Sequence, residues 1–265
     1  MSSRGSARRQ GLKAPYDAFA DVYDLEYWDR KEDLPLYRWA ANTFGSPVLE
    51  IGTGTGRVAF DLASAGHTVV GIDNSVEMLR KFRRKRARLP DQQQSRVLAL
   101  AADVRAFHLR KQFPLCVAPF RAFAHLLTVE DQLRALNAIR EHLAPDGVFV
   151  FDTFEPLPQW LAHAHLRDEE EREDPVSGEV VKIVTRVSFD PARQLVHFRS
   201  RYLRRDSSGR WRGKLRRMTM RYTYRYELEH LLWRAGFEPL EWYGWFDRSP
   251  YTATTGILVG VARRK

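Results

Sequence analysis

At 265 residues, 44% hydrophobic and 12% aromatic, the chain has enough apolar side chain to bury a full core as one domain, and disorder throughout is excluded. No stretch approaches the ~18 consecutive apolar residues of a membrane span and the first fifteen residues lack the apolar run of a secretory signal, so a soluble, cytoplasmic protein without a membrane partner is expected. The lone Cys116 and eight scattered histidines leave no disulfide and no metal site to expect, while a net charge of +10 keeps an anionic ligand or partner open.

Residues 1–15 are basic, small and polar and read as a disordered leader. A short helical entry runs from Tyr16 to Thr43, after which apolar runs alternate with helical patterns. Val48 to Ile51 reads as a strand, Arg57 to Ala65 as a helix stopped by Gly66, and Val69 to Ile72 as the next strand. Ser75 is placed to cap a helix whose Val76, Leu79 and Phe82 recur on one face. Val97 to Ala101 and Leu115 to Ala118 supply two more strands. Thr128 caps a helix that turns Leu133, Leu136, Ile139 and Leu143 inward, and Pro145-Asp146-Gly147 leads into the strand Val148 to Phe151. Five strands separated by helices predict a parallel sheet covered on both faces.

After Phe151 the rhythm changes. Trp160 to Glu179 reads as loop or helix with an acidic patch. Val180 to Phe189, Leu195 to Leu203 and Lys214 to Tyr222 read as an antiparallel meander, so that residues 158–222 form an insertion in a core of residues 16–157 and 223–265. Between Arg193 and Arg225 twelve arginines and lysines face one acid, Asp206, a balance that suits an anionic partner or simply a solvated surface. Tyr226 to Ala235 restores a helix, and Phe237 to Phe246 with Gly256 to Ala262 close the chain as two strands.

The informative stretch is Val48-Leu49-Glu50-Ile51-Gly52-Thr53-Gly54-Thr55-Gly56-Arg57, a hydrophobic strand, an acid, and glycines at alternate positions opening a helix. Glycines let the backbone turn sharply and approach a ligand closely, and free amides at a helix start present donors. A dinucleotide loop needs its third glycine at position 57, where this chain has arginine. Asp73, ending the second strand, is placed to accept both hydroxyl protons of a ribose. The segment resembles the first motif of class I S-adenosylmethionine-dependent methyltransferases. That resemblance implies an α/β, Rossmann-like seven-stranded sheet, mostly parallel with an antiparallel last strand, and carrying the inserted β meander.

It also implies S-adenosylmethionine as cofactor, released as S-adenosylhomocysteine, with Gly52, Gly54 and Gly56 around its methionine part beside Glu50 and Arg57. The ribose is expected at Asp73 and Asn74, and the adenine between Met78 and the pair Asp103 and Val104. The entry segment from Tyr16 to Tyr27 is similar to the start of small-molecule methyltransferases, sugar-amine and glycine N-methyltransferases among them, whose aromatic lid folds over the cofactor. Tyr16, Tyr23 and Tyr27 would then bring ring faces to the sulfonium, and Phe120 would join them.

In open parallel sheets the ligand crevice lies beyond the carboxyl ends of the strands, which directs attention to Arg121, His125, Asp152 and Glu155 as acceptor-side residues. Phe123-Ala124-His125-Leu126 matches a run of the glycine N-methyltransferases. His125 is either a polar pocket residue and general base, suited by an ordinary pKa of ~6.5, or a hydrogen-bonded structural histidine. The expected reaction is in-line transfer of a methyl group to nitrogen or oxygen of a small-molecule acceptor, with an anionic acceptor among the options, by a monomer or homodimer. RNA or another polyanion is the alternative acceptor, and a catalytically silent cofactor-binding protein the alternative of another class.

Overall fold

The computed structural model describes residues 14–163, 165–174 and 177–265. The basic leader therefore lies, over residues 1–13, outside the described residues. After a 3-10 turn at Pro15–Ala18 come α1 (Tyr23–Tyr27), α2 (Leu34–Phe44), β1 (Val48–Ile51), α3 (Arg57–Ser64), β2 (Val69–Asp73), α4 (Val76–Arg86), α5 (Asp91–Gln94), β3 (Val97–Ala101) and β4 (Phe113–Ala118). A second 3-10 turn, Ala122–His125, precedes α6 (Val129–His142), β5 (Leu143–Phe154), α7 (Pro158–Leu161), β6 (Leu166–Glu173), β7 (Val180–Asp190), β8 (Leu195–Arg205) and β9 (Trp211–Arg221). The chain ends with α8 (Arg225–Arg234), β10 (Phe237–Tyr243) and β11 (Ile257–Arg264).

Seven strands form one sheet in the order β10-β11-β5-β4-β1-β2-β3, with β11 antiparallel to β5 and the β1 to β5 pairings parallel. Every residue of β1 is buried, as a central strand covered on both faces requires. Leu36, Tyr37, Val58 and Leu62 of α2 and α3 cover one face, and Leu136, Ile139, Leu228 and Leu232 of α6 and α8 the other. The expected caps are present: Ser75 Oγ accepts from the Met78 amide at 3.2 Å, and Thr128 Oγ1 from the Asp131 amide at 3.1 Å. Val76 departs from its expected face and is exposed, because Met78, Leu79 and Phe82 form the buried side of α4.

A second sheet, β6-β7-β8-β9, is antiparallel throughout. Leu166–Glu173 is thus a fourth strand of the meander and not the loop or helix expected for the acidic stretch. It lies at the sheet edge, where charged side chains keep an open strand in solvent. The inner face of this sheet packs Val181, Ile183 and Tyr202 on Phe19, Val22 and Leu25 of the entry segment, while Val196 and Met220 join the main core.

Gly71 of β2 pairs with Glu50 of β1, and a methyl group there would come within 2.6 Å of the Thr53 side chain. Gly71→Ala is expected to lower stability by about 1–3 kcal/mol through overpacking, read from urea unfolding.

Candidate functional site

The carboxyl ends of β1, β2, β3 and β4 open on a cavity of about 270 Å³. Its floor is the turn after β1, where Gly52 (φ 69°) and Gly54 (φ 55°) hold the left-handed backbone that side chains resist. Asp73 Oδ2 accepts from the Gly54 amide at 2.8 Å and Oδ1 from the Ser75 amide at 2.7 Å. Burial raises the Asp73 pKa while these amides oppose the shift. Its carboxylate is fixed at the cavity wall with lone pairs left to receive further donors. Asn74, Met78, Asp103 and Val104 continue the wall. Arg105, which the sequence did not single out, takes hold of Asp103 with Nη2 at 2.6 Å from Oδ2 and reaches Asp131 at 3.0 Å.

Tyr16 and Tyr23 roof this cavity, their rings edge to face at 5.9 Å. Tyr16 Oη lies 3.0 Å from His125 Nε2, and the two rings meet at 5.0 Å. Desolvation pulls the His125 pKa down to about 4, so the ring is neutral near pH 7 and a far weaker base than its residue type suggested. The entry segment is fastened to the core by Ser75 Oγ donating to Asp17 at 2.6 Å, Thr55 Oγ1 donating to Asp24 at 2.7 Å and Lys85 Nζ on Asp24 at 2.6 Å. On its other side Arg216 pairs with Asp21 at 2.7 Å and Arg172 with Asp29 at 3.0 Å.

Three of the expected cofactor residues lie behind the cavity and Tyr27 lies in the next one. Glu50 is wholly buried beneath the turn and accepts from Thr53 Oγ1 at 2.7 Å, burial pushing its pKa up to about 8. Gly56 (φ 94°) begins α3 under Phe60 and Phe82, where no Cβ fits. Arg57 Nη2 reaches Asp33 Oδ2 at 2.6 Å and its guanidinium stands over the Phe120 ring at 5.1 Å, tying α3 to the start of α2.

A second cavity, of about 500 Å³, lies between the ends of β5 and β11 and the inner face of the small sheet. Tyr27 and Phe120 line it, and Phe120 also lines the first cavity, so this ring is the partition between the two. Phe120 (φ 54°) and Arg121 (φ 63°) are successive left-handed residues without a glycine. Asp152 holds them there: Oδ1 accepts from the Phe120 amide at 2.6 Å and Oδ2 from the Arg121 amide at 2.9 Å, while Tyr37 Oη donates to Oδ1. Burial raises the Asp152 pKa to about 6. Although it lines the second cavity, Asp152 is thus a bracket for the turn after β4 and not an open acceptor-side acid. Glu155 lines neither cavity and accepts from Tyr251 Oη at 2.7 Å.

The arginines of the meander are elsewhere. Arg216 is 9% exposed, held by Asp21 between the rings of Phe19 and Tyr202. Arg221 donates to the Leu127 carbonyl at 3.0 Å. Arg199 and Arg201 line a depression on the outer face of the small sheet, away from both cavities. Among the described residues no cluster of histidine, cysteine and acid side chains suits a metal ion, and no helix is long and apolar enough to cross a membrane.

Glu50 and Asp152 bind their protons more tightly folded than unfolded, so their support for the fold is fullest below about pH 4 and declines as pH rises through about 6 and then 8. Glu50→Gln should therefore show a smaller loss of thermal stability than the native chain between pH 5 and 8, as measured by melting curves on that interval.

Residues 48–147 match a family described as a methyltransferase domain. A dTDP-3-amino-3,6-dideoxy-alpha-D-glucopyranose N,N-dimethyltransferase from Streptomyces fradiae is 29% identical over 164 residues, 59% of each chain. The chain spans 54 to 59% of the length of this and two other curated relatives it matches. Among solved structures, the CcbJ methyltransferase from Streptomyces caelestis superimposes with a TM-score of 0.77 at 27% identity, over 95% of this chain and 98% of that one. The amino pentose methyltransferase CalS10 from Micromonospora echinaspora, solved with S-adenosylmethionine bound, does so with a TM-score of 0.67 at 25% identity over 96% and 92%. The strand order, the glycine turn after β1 and these likenesses agree: residues 48–147 match a methyltransferase domain, and the chain shares the fold of these methyltransferase structures.

Proposed function

We propose that the protein transfers a methyl group from S-adenosylmethionine to the nitrogen of a small-molecule amine. The observation that carries this reading is the shared wall: a nucleoside-sized cavity and a larger apolar one meet at Phe120. When bound, the cofactor supplies an electrophilic methyl group and leaves as S-adenosylhomocysteine. Gly52 and Gly54 admit its amino-acid end, Asp73 accepts its ribose hydroxyls, and Met78, Asp103 and Val104 flank its base. The faces of Tyr16 and Tyr23 favour a sulfonium and exclude water from it.

A neutral amine needs no strong base, because its lone pair is the nucleophile; a bound cofactor would supply the methyl group with its thioether as leaving group, and the ammonium proton would pass to solvent. His125, with its pKa near 4, serves as a neutral partner that fixes Tyr16. Relatives named for amino sugars and an amino pentose support nitrogen as the acceptor atom.

Calorimetry should give heat with S-adenosylhomocysteine and none with a nicotinamide dinucleotide, and incubation with S-adenosylmethionine and a panel of amines should release S-adenosylhomocysteine; the reverse binding pattern would overturn the reading. Asp73→Ala is expected to weaken S-adenosylhomocysteine by about 100-fold or more, the worth of two hydrogen bonds to a charged acceptor. The kcat/KM profile should rise with the pKa of the acceptor amine and show no acid limb from His125 above about pH 5, with His125→Gln lowering the rate without moving the profile.

A further inference from the structure

We infer that the acceptor is an amino acid with a bulky apolar or aromatic body, whose single carboxylate is received by Arg121. This rests on the methyl-transfer reading above and names the class of molecule that the second cavity selects.

The walls of that cavity are aromatic: Phe154, Trp160, Phe189, Phe198, Trp245 and Phe246 face it. Its volume of about 500 Å³ lies within the ~300–1,000 Å³ range of sites that enclose a drug-sized body. The charges on its rim are almost all spent. Arg30 pairs with Glu32, and Asp33 is gripped by Arg57. Both oxygens of Asp152 are taken by backbone amides. Arg121 is different. Its guanidinium sits 5.9 Å from the Phe120 centroid and 5.7 Å from that of Phe154, and among the described residues it makes no ion pair or side-chain hydrogen bond.

The charge of the Arg121 side chain acts on Asp152 and Tyr16 without a side-chain hydrogen bond to either, so its fork of donors remains for one incoming anion. A carboxylate satisfies its fork bidentately, and charge-assisted pairs of this kind gain strength where aromatic walls exclude water. A nucleoside diphosphate brings at least two negative charges, of which one would stay unpaired against aromatic rings, at a cost that such walls do not offset. The cavity also offers no free carboxylate for an ammonium, so its apolar lining favours the neutral amine that methyl transfer needs. Arg121 follows Phe120 directly, and the amides of both are pinned by Asp152. The bound carboxylate is thereby kept beside the partition, and an amine attached near that carboxylate is presented to the first cavity while the apolar body fills the second.

The test is calorimetry on the protein saturated with S-adenosylhomocysteine, with 2-naphthylalanine, its amide and thymidine diphosphate as probes. The acid should bind about 10- to 100-fold more tightly than the amide. Arg121→Asn, a residue that accepts left-handed backbone, should erase that preference and leave the affinity for S-adenosylhomocysteine unchanged. Trp245→Ala should weaken acid and amide alike. Equal binding of acid and amide, no binding of either, tighter binding of thymidine diphosphate, or a preference that survives Arg121→Asn would each overturn the assignment while leaving the methyl-transfer reading in place. Failure of S-adenosylhomocysteine itself to bind would remove both.

Discussion

The site depends on one buried carboxylate. Asp152 at the end of β5 draws together the hydroxyl of Tyr37 from α2 and the amides of Phe120 and Arg121 after β4. Two successive non-glycine residues in the left-handed region cost of order 1–3 kcal/mol each and persist only where the surroundings over-determine them. Asp152 supplies that determination, and the reward is a ring set as a partition and a guanidinium set beside it. Position along the chain matters as well: β4 and β5 are neighbours in the sheet, so the bracket spans adjacent strands and needs no long reach.

The same economy governs the first cavity. Asp73 ties the turn after β1 to the start of α4, and Glu50 supports that turn from below through Thr53. One acid faces the ligand space and the other faces the core, although both end or approach the end of a parallel strand. Their surroundings set their roles: Asp73 keeps the backbone amides of Gly54, Asn74 and Ser75, which favour its charge, whereas Glu50 has a single hydroxyl donor and is driven toward its protonated form.

Much of this was legible before the fold was known. The glycine spacing and Asp73 lie within a short stretch whose local geometry is fixed by residue type, and the central strands β1 and β4 stand out as apolar runs suited to burial on both faces. The second cavity left no such trace, because Trp160, Phe198 and Trp245 come from three distant segments and only the packing of one sheet on the end of another gathers them. The left-handed pair was hidden too, since Phe and Arg carry no signal for that backbone. Leu166–Glu173 was missed as a strand because an edge position frees it from the apolar alternation that betrays inner strands. The number of arginines in the meander is plain in the sequence, while their register is not. Arg167, Arg186, Arg199 and Arg217 stand side by side across the four strands, on a face turned outward.

The aspartates of the entry segment at positions 17 and 24 hold the main sheet's side, and those at 21 and 29 hold the small sheet. Tyr16 and Tyr23 on this strip shut one chamber and Tyr27 forms part of the other. One short strip, fastened to both sheets, therefore carries side chains of both compartments, so a substitution that loosens its polar ties disturbs the two together.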